Sequence, residues 1–473
     1  MLHAARAKAH PCERGPTSYG PSGPMEQHMR KRTTTSVTIL FVGLTSLALS
    51  ACSGSSGATG AAGATGANGA PGTTGAQGAH GEAGAPGAQG PAGPAGPPGS
   101  QGPAGEAGAP APHPDAGASV APNAVYMLSN DATQNEINEF TRAADGSLTP
   151  FGSFPTGGAG AGAGLGDQGA LAFDSTHNLF FAVNAGDNSI SELQLETDGT
   201  INLLSKIASG GSTPNSITVN GSSVYVLNAG SETVAPNISG FTVDPAGLVA
   251  LKNSTASLTG AATVGGAEIL FVAGGSALVV TERLSNNIDV FALTSGVPTS
   301  TSPTMVFAEP GPSDGVPGSE PLGFSLTAGG DIVVSEAWSG TAGLSSSSTF
   351  SVTAAGAITQ ISKGITSGQS GACWTTVVGT YAYETNTASG TVSQYSIAAN
   401  GTLTLVGSGL AGTAGGAGAG STDLASSSDG KVLYVHNGTG ALSIFSISST
   451  DGTLTKLSDF NGIPAHAEGL IAR

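Results

Sequence analysis

Val224-Tyr225-Val226-Leu227-Asn228 and, nine residues on, Ile238-Ser239-Gly240-Phe241-Thr242-Val243 are two short strand-like runs. The first is apolar throughout and closes on a polar residue. The second alternates, as a strand with two unlike faces should. Working outward, the first kind of run, here named b, recurs at 125–128, 180–184, 277–282, 331–336, 381–386 and 432–437. The second kind, c, recurs at 137–141, 189–195, 287–293, 348–353, 391–397 and 441–447. Asp145-Gly146, Asp198-Gly199, Asn400-Gly401 and Asp451-Gly452 follow c runs, and such pairs make the tight turn into a further strand, d. A last short run, a, precedes the next b: 169–173, 216–219, 268–272, 322–326, 373–378, 422–425 and 468–472. Four short strands in a unit of roughly 40 to 50 residues make one blade of a β-propeller.

Seven copies of each strand type predict an all-β, seven-bladed propeller over 124–473. The first unit opens on b and the chain ends on a. Pairing 468–472 with 125–128 would complete the first blade from both ends and close the ring, leaving no free sheet edge. A six- or eight-bladed count would need one unit misread, the Ser-rich one at 331–361 first of all.

Upstream the chain changes character twice. Arg30-Lys31-Arg32, an apolar stretch from Val37 to Leu49 and the small residues before Cys52 describe a signal peptide, so 1–52 reads as leader and signal. Leu49-Ser50-Ala51-Cys52 resembles a bacterial lipobox, which implies a lipid on Cys52 and a membrane anchor. Ser53, in place of an aspartate, favours the outer membrane, with display at the cell surface or in the periplasm. From Gly54 to Gly108 glycine occupies every third position, nineteen times without a break. That period is what a collagen-like triple helix demands, because only glycine fits its axis. Residues 53–108 are therefore read as a stalk that could hold a homotrimer, with a flexible single chain as the alternative. Fully wound it would span on the order of 160 Å. The Pro/Ala-rich 109–123 is a linker.

The chain carries 14 basic and 31 acidic side chains, a formal charge of −17. Six basic and two acidic residues precede Cys52, so the remainder stands at −21. A body this acidic repels phosphate backbones and excludes nucleic acid as a partner. Only one of the three cysteines, Cys373, falls among the repeats, so they hold no disulfide framework within themselves.

In a propeller the starts of the a strands and the ends of the b strands share one mouth of the central channel. The a set supplies Glu268, Glu320, Trp374, Asp423 and Glu468, with Gln168 and Asn215. The b set supplies Glu282, Glu336, Glu384 and His436, with Arg283 just beyond. Three chemistries compete for this mouth. The carboxylates could hold Ca²⁺ or Mg²⁺ through oxygen ligands. With Trp338 or Trp374 they could bond and stack on a sugar-like ring. Glu336, Glu384 or His436 could act as general base on a lactone whose carbonyl Arg283 polarises. Against all three, the Asn and Glu residues could simply satisfy loop amides. Gly164-Leu165-Gly166-Asp167-Gln168-Gly169 fits a dinucleotide fingerprint in letters only, because a strand follows it. The Gly/Ala stretches 157–166 and 409–420 read as long, flexible mouth loops.

The recurring b run ending in Asn, the I-S-x-F of the c run and the Asp-Gly-Thr-Leu-Thr at 451–455 resemble the lactonase family of seven-bladed propellers, the 6-phosphogluconolactonase-like group. The resemblance spans 124–473. It implies a channel-mouth site of histidine, arginine and glutamate that opens a sugar lactone. Here the a-strand approaches carry Asn215 and Cys373-Trp374 where basic residues would be expected, and one arginine in an acidic body is a poor receptor for a phosphorylated sugar. The expectation is therefore a displayed module that binds a glycan, a protein or a small molecule, with an exported hydrolase of an unphosphorylated lactone as the alternative.

Overall fold

The computed structural model describes residues 123–259, 265–308 and 318–473. The signal segment, Cys52, the Gly-X-Y stalk and the body of the linker lie outside the described residues. Seven antiparallel sheets of four or five strands follow one another along the chain, each ordered d-c-b-a. The a strands are the innermost: Leu171–Asp174, Pro214–Asn220, Gly266–Val272, Pro321–Leu326, Ala372–Val378, Ser421–Ser426 and Glu468–Ala472. Each packs on the next, and the last returns to the first, so they line the axis of a ring. Among the described residues no helix is long and apolar enough to cross a membrane.

Closure occurs where the repeat count placed it. Glu468–Ala472 pairs antiparallel with Ala124–Leu128, Val125 opposite Ala472 and Tyr126 opposite Ile471. Arg473 N–H donates to the Ala124 carbonyl at 2.8 Å. The Ser-rich unit is a complete blade, Pro321–Leu326, Ile332–Glu336, Ser346–Val352 and Ile358–Thr366. In blades three, four and six the fourth strand is instead broken into two short pieces.

Burial follows radial position. The b strands are second from the axis and covered on both faces, so Leu179–Asn184 and Ala277–Glu282 are buried at every residue. The d strands are outermost, and Ile201–Ala208 is buried only at its first residue, the rest being exposed or half-buried. The c strands were expected to be half-buried. Ser189–Leu195 is instead buried along its whole length, with polar side chains on both faces, Ser189 and Ser191 on one and Glu192 and Gln194 on the other.

The turn chemistry holds as read. Gly146, Gly199, Gly401 and Gly452 have φ of +87°, +89°, +79° and +69°. The preceding Asp accepts from the backbone two residues on, as Asp145 does from Ser147 N–H at 3.0 Å. These turns are also where blades lock together. Tyr225 Oη donates to the Gly296 carbonyl of the next blade at 2.7 Å, and Tyr434 Oη to that of Gly146 across the closure at 3.0 Å. Tyr383 makes the same bond to Gly452.

Candidate functional site

The loop between the first blade's d strand and the second blade's a strand enters the ring and fills its centre. Its glycines are required by contact. A Cβ on Gly158 would stand 2.3 Å from the Asn184 side chain, and one on Gly160 2.2 Å from the Asn130 backbone. Asn130 ties the loop down, donating to Ala163 O at 2.7 Å and accepting from Ala161 N–H at 2.7 Å. The stretch 157–166, expected to be flexible, is thus pinned to the ends of two b strands.

Beyond it, Gln168 crosses the axis. Its Nε2 donates to Thr375 O at 2.8 Å, its Oε1 accepts from Thr375 N–H at 3.2 Å, and its own N–H donates to Ala267 O at 3.1 Å. Ser216 Oγ donates to its carbonyl at 2.6 Å. One residue of the second blade thereby touches the third, fourth and sixth. A side chain at Gly323 would collide with Gln168 Oε1 at 2.2 Å and with Trp374 at 2.8 Å, so the crossing depends on that glycine.

Around this crossing the a-strand acids converge. Asp167, Glu268, Asp423 and Glu468 are all essentially buried and act on one another electrostatically. Asp167 was not anticipated. It sits inside the discarded glycine motif, and its only sequence signal was its place one residue before Gln168. Burial first, then the Glu468 charge, pushes the Asp167 carboxyl well above its ordinary range. Burial also raises Glu468 to about 8 and Asp423 to about 7, against backbone donors that favour their charged forms. Those donors are Leu165 N–H to Glu468 (2.8 Å), and Leu424 N–H and Leu470 N–H to Asp423 (2.8 Å each). Phe324 N–H donates to Glu268, which burial likewise raises. Glu268 and Asp423 thus clasp the next blade in the ring.

Arg283 lies beside Gly166, and its nearest charges are Glu320 and Asp167. The Asp167 and Glu468 carboxyls hydrogen-bond each other, while two buried polar atoms nearby, Asn215 Oδ1 and Trp374 Nε1, have no protein partner. The Asn215 amide donates to Gly266 O at 2.7 Å with its other end. Among the described residues no group of three or more His, Cys, Asp or Glu side chains is disposed to hold a metal ion. Asp167 comes from the loop and the other three acids from different strands around the axis, a poor fit to the Ca²⁺ or Mg²⁺ expectation.

The b-strand candidates lie elsewhere, buried within and between blades. Glu336 accepts from Ser346 Oγ (2.5 Å) and Ser348 Oγ (2.8 Å). Glu282 accepts from Thr259 N–H (3.1 Å) and from Ser285, beside Asp289, which burial and the Glu282 charge lift to about 8. Both stand at the strand end that Asn184, Asn228, Asn386 and Asn437 occupy in other blades. Asn184 donates to Ser191 Oγ (2.8 Å) and Asn386 to Ser393 Oγ (2.9 Å), so a b-end residue bonded to the c-strand hydroxyl is a repeated structural joint.

Glu384 is different. It is fully buried where other blades carry Ala182, Val226, Val280, Val334 and Val435, and it accepts from Ser347 Oγ and from Tyr395 Oη (3.2 Å). Burial raises it to about 8, with the Glu336 charge adding to the shift. Burial lowers His436 to about 3, and its Nδ1 pairs with Thr422 Oγ1 at 2.7 Å. Arg283, Glu336, Glu384 and His436 therefore form no single constellation. The tryptophans are corrections too. Trp374 is 1% and Trp338 8% exposed, and Trp338 Nε1 is engaged with Ser346 Oγ at 2.8 Å, so neither offers a face for stacking. Glu320, half-buried, accepts from Ser339 N–H at 2.8 Å.

Residues 53–113 match the collagen triple helix repeat, five residues past the last strict Gly-X-Y glycine. No curated protein matches the chain. Among solved structures, a Bacteroides uniformis protein assigned as a 6-phosphogluconolactonase superposes with a TM-score of 0.57 at 18% identity, over 74% of this chain and 99% of its own. A Bacteroides fragilis protein with the same assignment gives 0.55 at 17%, over 74% and 99%. The periplasmic gluconolactonase PpgL of Pseudomonas aeruginosa gives 0.54 at 16%, over 73% and 98%. At these identities the likeness is one of fold. Residues 53–113 thus carry a collagen repeat, and the described body is a seven-bladed propeller similar in fold to these structures.

Proposed function

We propose that the protein is a displayed binding module, exported and anchored through Cys52, whose collagen-like repeat assembles a trimer and whose axial cluster takes a small polyhydroxylated ligand. Two buried polar atoms without a protein partner, Asn215 Oδ1 and Trp374 Nε1, carry this reading. A buried polar atom without a partner costs about 1–3 kcal/mol, and such atoms normally find one. His436 is buried in a different blade from Glu336 and Glu384, which argues against concerted use of the three in turnover. Calorimetric titration of the full chain with neutral monosaccharides tests the reading. Saturable heat that is lost on Asn215→Ala supports it, and no heat with any sugar overturns it. Sedimentation of the full chain against one lacking 53–113 tests assembly. A monomer in both overturns the trimer.

The alternative, hydrolysis of an unphosphorylated sugar lactone, draws support from Arg283, which sits beside Asp167 as a carbonyl-polarising cation would. The gluconolactonase named above shares the fold. Ring opening of a neutral sugar lactone, abolished by Arg283→Ala, would replace the binding reading with this one.

A further inference from the structure

We propose that the outer rim at the seam of blades seven and one is a contact face for a second copy of this chain, through which the heads of the trimer pack on one another. The inference rests on the trimer reading above and names the surface it uses. A groove of about 380 Å³ lies between the outer strands of these two blades, lined by Phe140, Pro150, Phe151, Phe460, Ile463 and Pro464. The Phe140 and Phe460 rings meet edge-on across the seam, their centroids 5.2 Å apart. Phe151 stands 48% exposed. The one titratable residue in the lining, Glu139, is already buried, so covering the groove takes no exposed charge out of water.

Apolar exposure is uneven around the rim. On the outer strands, Leu457 of blade seven is 46% exposed and Leu203 and Leu204 of blade two 44% and 41%, with Val249 and Met305 on blades three and four. The outer strands of blades five and six expose no large apolar side chain among the described residues. A grouped apolar patch marks a surface that another molecule covers. Which molecule follows from where the chain enters. Asn123 O accepts from Arg142 N–H at 2.9 Å, and Arg142 reaches Asp429 of blade seven at 3.6 Å. Leu457 lies 3.4 Å from where a Cβ on Gly146 would stand, in the turn just after Arg142. The entry point is therefore at the seam. The collagen repeat ends at 113, and residues 114–122 span at most about 35 Å. Three heads, each roughly 50 Å across for a domain of about 350 residues, are thus gathered with their entry sides nearest one another. A threefold ring joins two unlike faces of each copy. The groove supplies one, and Leu203 and Leu204, beyond blade one, supply the other. Held at about millimolar effective concentration, such faces need little affinity of their own.

Analytical ultracentrifugation of the full chain tests this through the dissociation constant of the trimer, measured for the wild type, Phe151→Asp and Leu204→Asp. Both residues are exposed, so the head should melt as before. Each substitution is expected to weaken assembly about tenfold or more, the worth of one buried Phe or Leu. Thr359→Asp, exposed on the outer strand of blade five, should leave assembly unchanged. Wild-type trimers that neither Phe151→Asp nor Leu204→Asp weakens overturn the inference and leave the trimer reading standing. A monomeric wild type overturns both. Hydrogen exchange on chains diluted to monomers separates the remaining occupant. Protection of 109–122 that Phe151→Asp abolishes would give the groove to the chain's own linker and overturn the inference.

Discussion

A buried acid in this propeller is stable chiefly as a neutral acid. The raised carboxyls, Glu384 and Glu468 at about 8 and Asp423 at about 7, bind protons in the folded chain that they would release at about pH 4 once unfolded. The folded state holds more protons across that window, so stability is full below about pH 4 and lost as pH rises through 7 to 8. His436 acts at the other end. Lowered to about 3, it opposes folding once pH falls below its unfolded value of about 6.5. Thermal melts from pH 5 to 9 should therefore show a Tm that falls up to about pH 8 and levels off above it. Glu384→Gln, which still accepts from Ser347 and Tyr395, should flatten that fall. An unchanged slope would remove Glu384 from this account. Its oddity was open to view in the sequence as one acid in a column of Ala and Val. Its role was not, because Ser347 and Tyr395 come from other strands. Glu282 and Glu336 were likewise visible, but became intelligible only beside the asparagines that share their place in the blade.

At the level of strands and turns, the repeat was legible almost to the residue, because each b and c run has its own burial and each tight turn its Asp-Gly or Asn-Gly. What periodicity could not supply was the path of the 157–169 loop. Its glycines carry no pattern, and they matter through what they touch: Asn184, Asn130 and, further on, Ser216. The tyrosine latches were equally hidden, since each links a b strand to a turn in the following blade. Tyr434→Phe removes the latch across the ring closure, and should cost about 1 kcal/mol, the net worth of one such bond. Chemical denaturation reads that difference. The same substitution at Tyr126, whose hydroxyl makes no such latch, should cost less than Tyr434→Phe. Gly160→Ala forces contact with the Asn130 backbone and should lower stability more than Tyr434→Phe does.

For the whole molecule, the decisive fact is that Ala124–Leu128 has neighbours from opposite ends of the chain, Glu136–Arg142 on one side and Glu468–Ala472 on the other. A chain ending at Ala467 should lose cooperative melting and aggregate through the bared strand, as light scattering would report. The arrangement also decides how the propeller meets mechanical load. Tension arriving through whatever precedes Asn123 is delivered to a strand held by two ladders, with Asn123 O itself bonded to Arg142 N–H at 2.9 Å. No single ladder can be peeled while the other holds, so both must fail together. The terminal strand is thus a tether point as well as a closure. The propeller keeps its shape under such a pull because its first strand is sewn in on both sides.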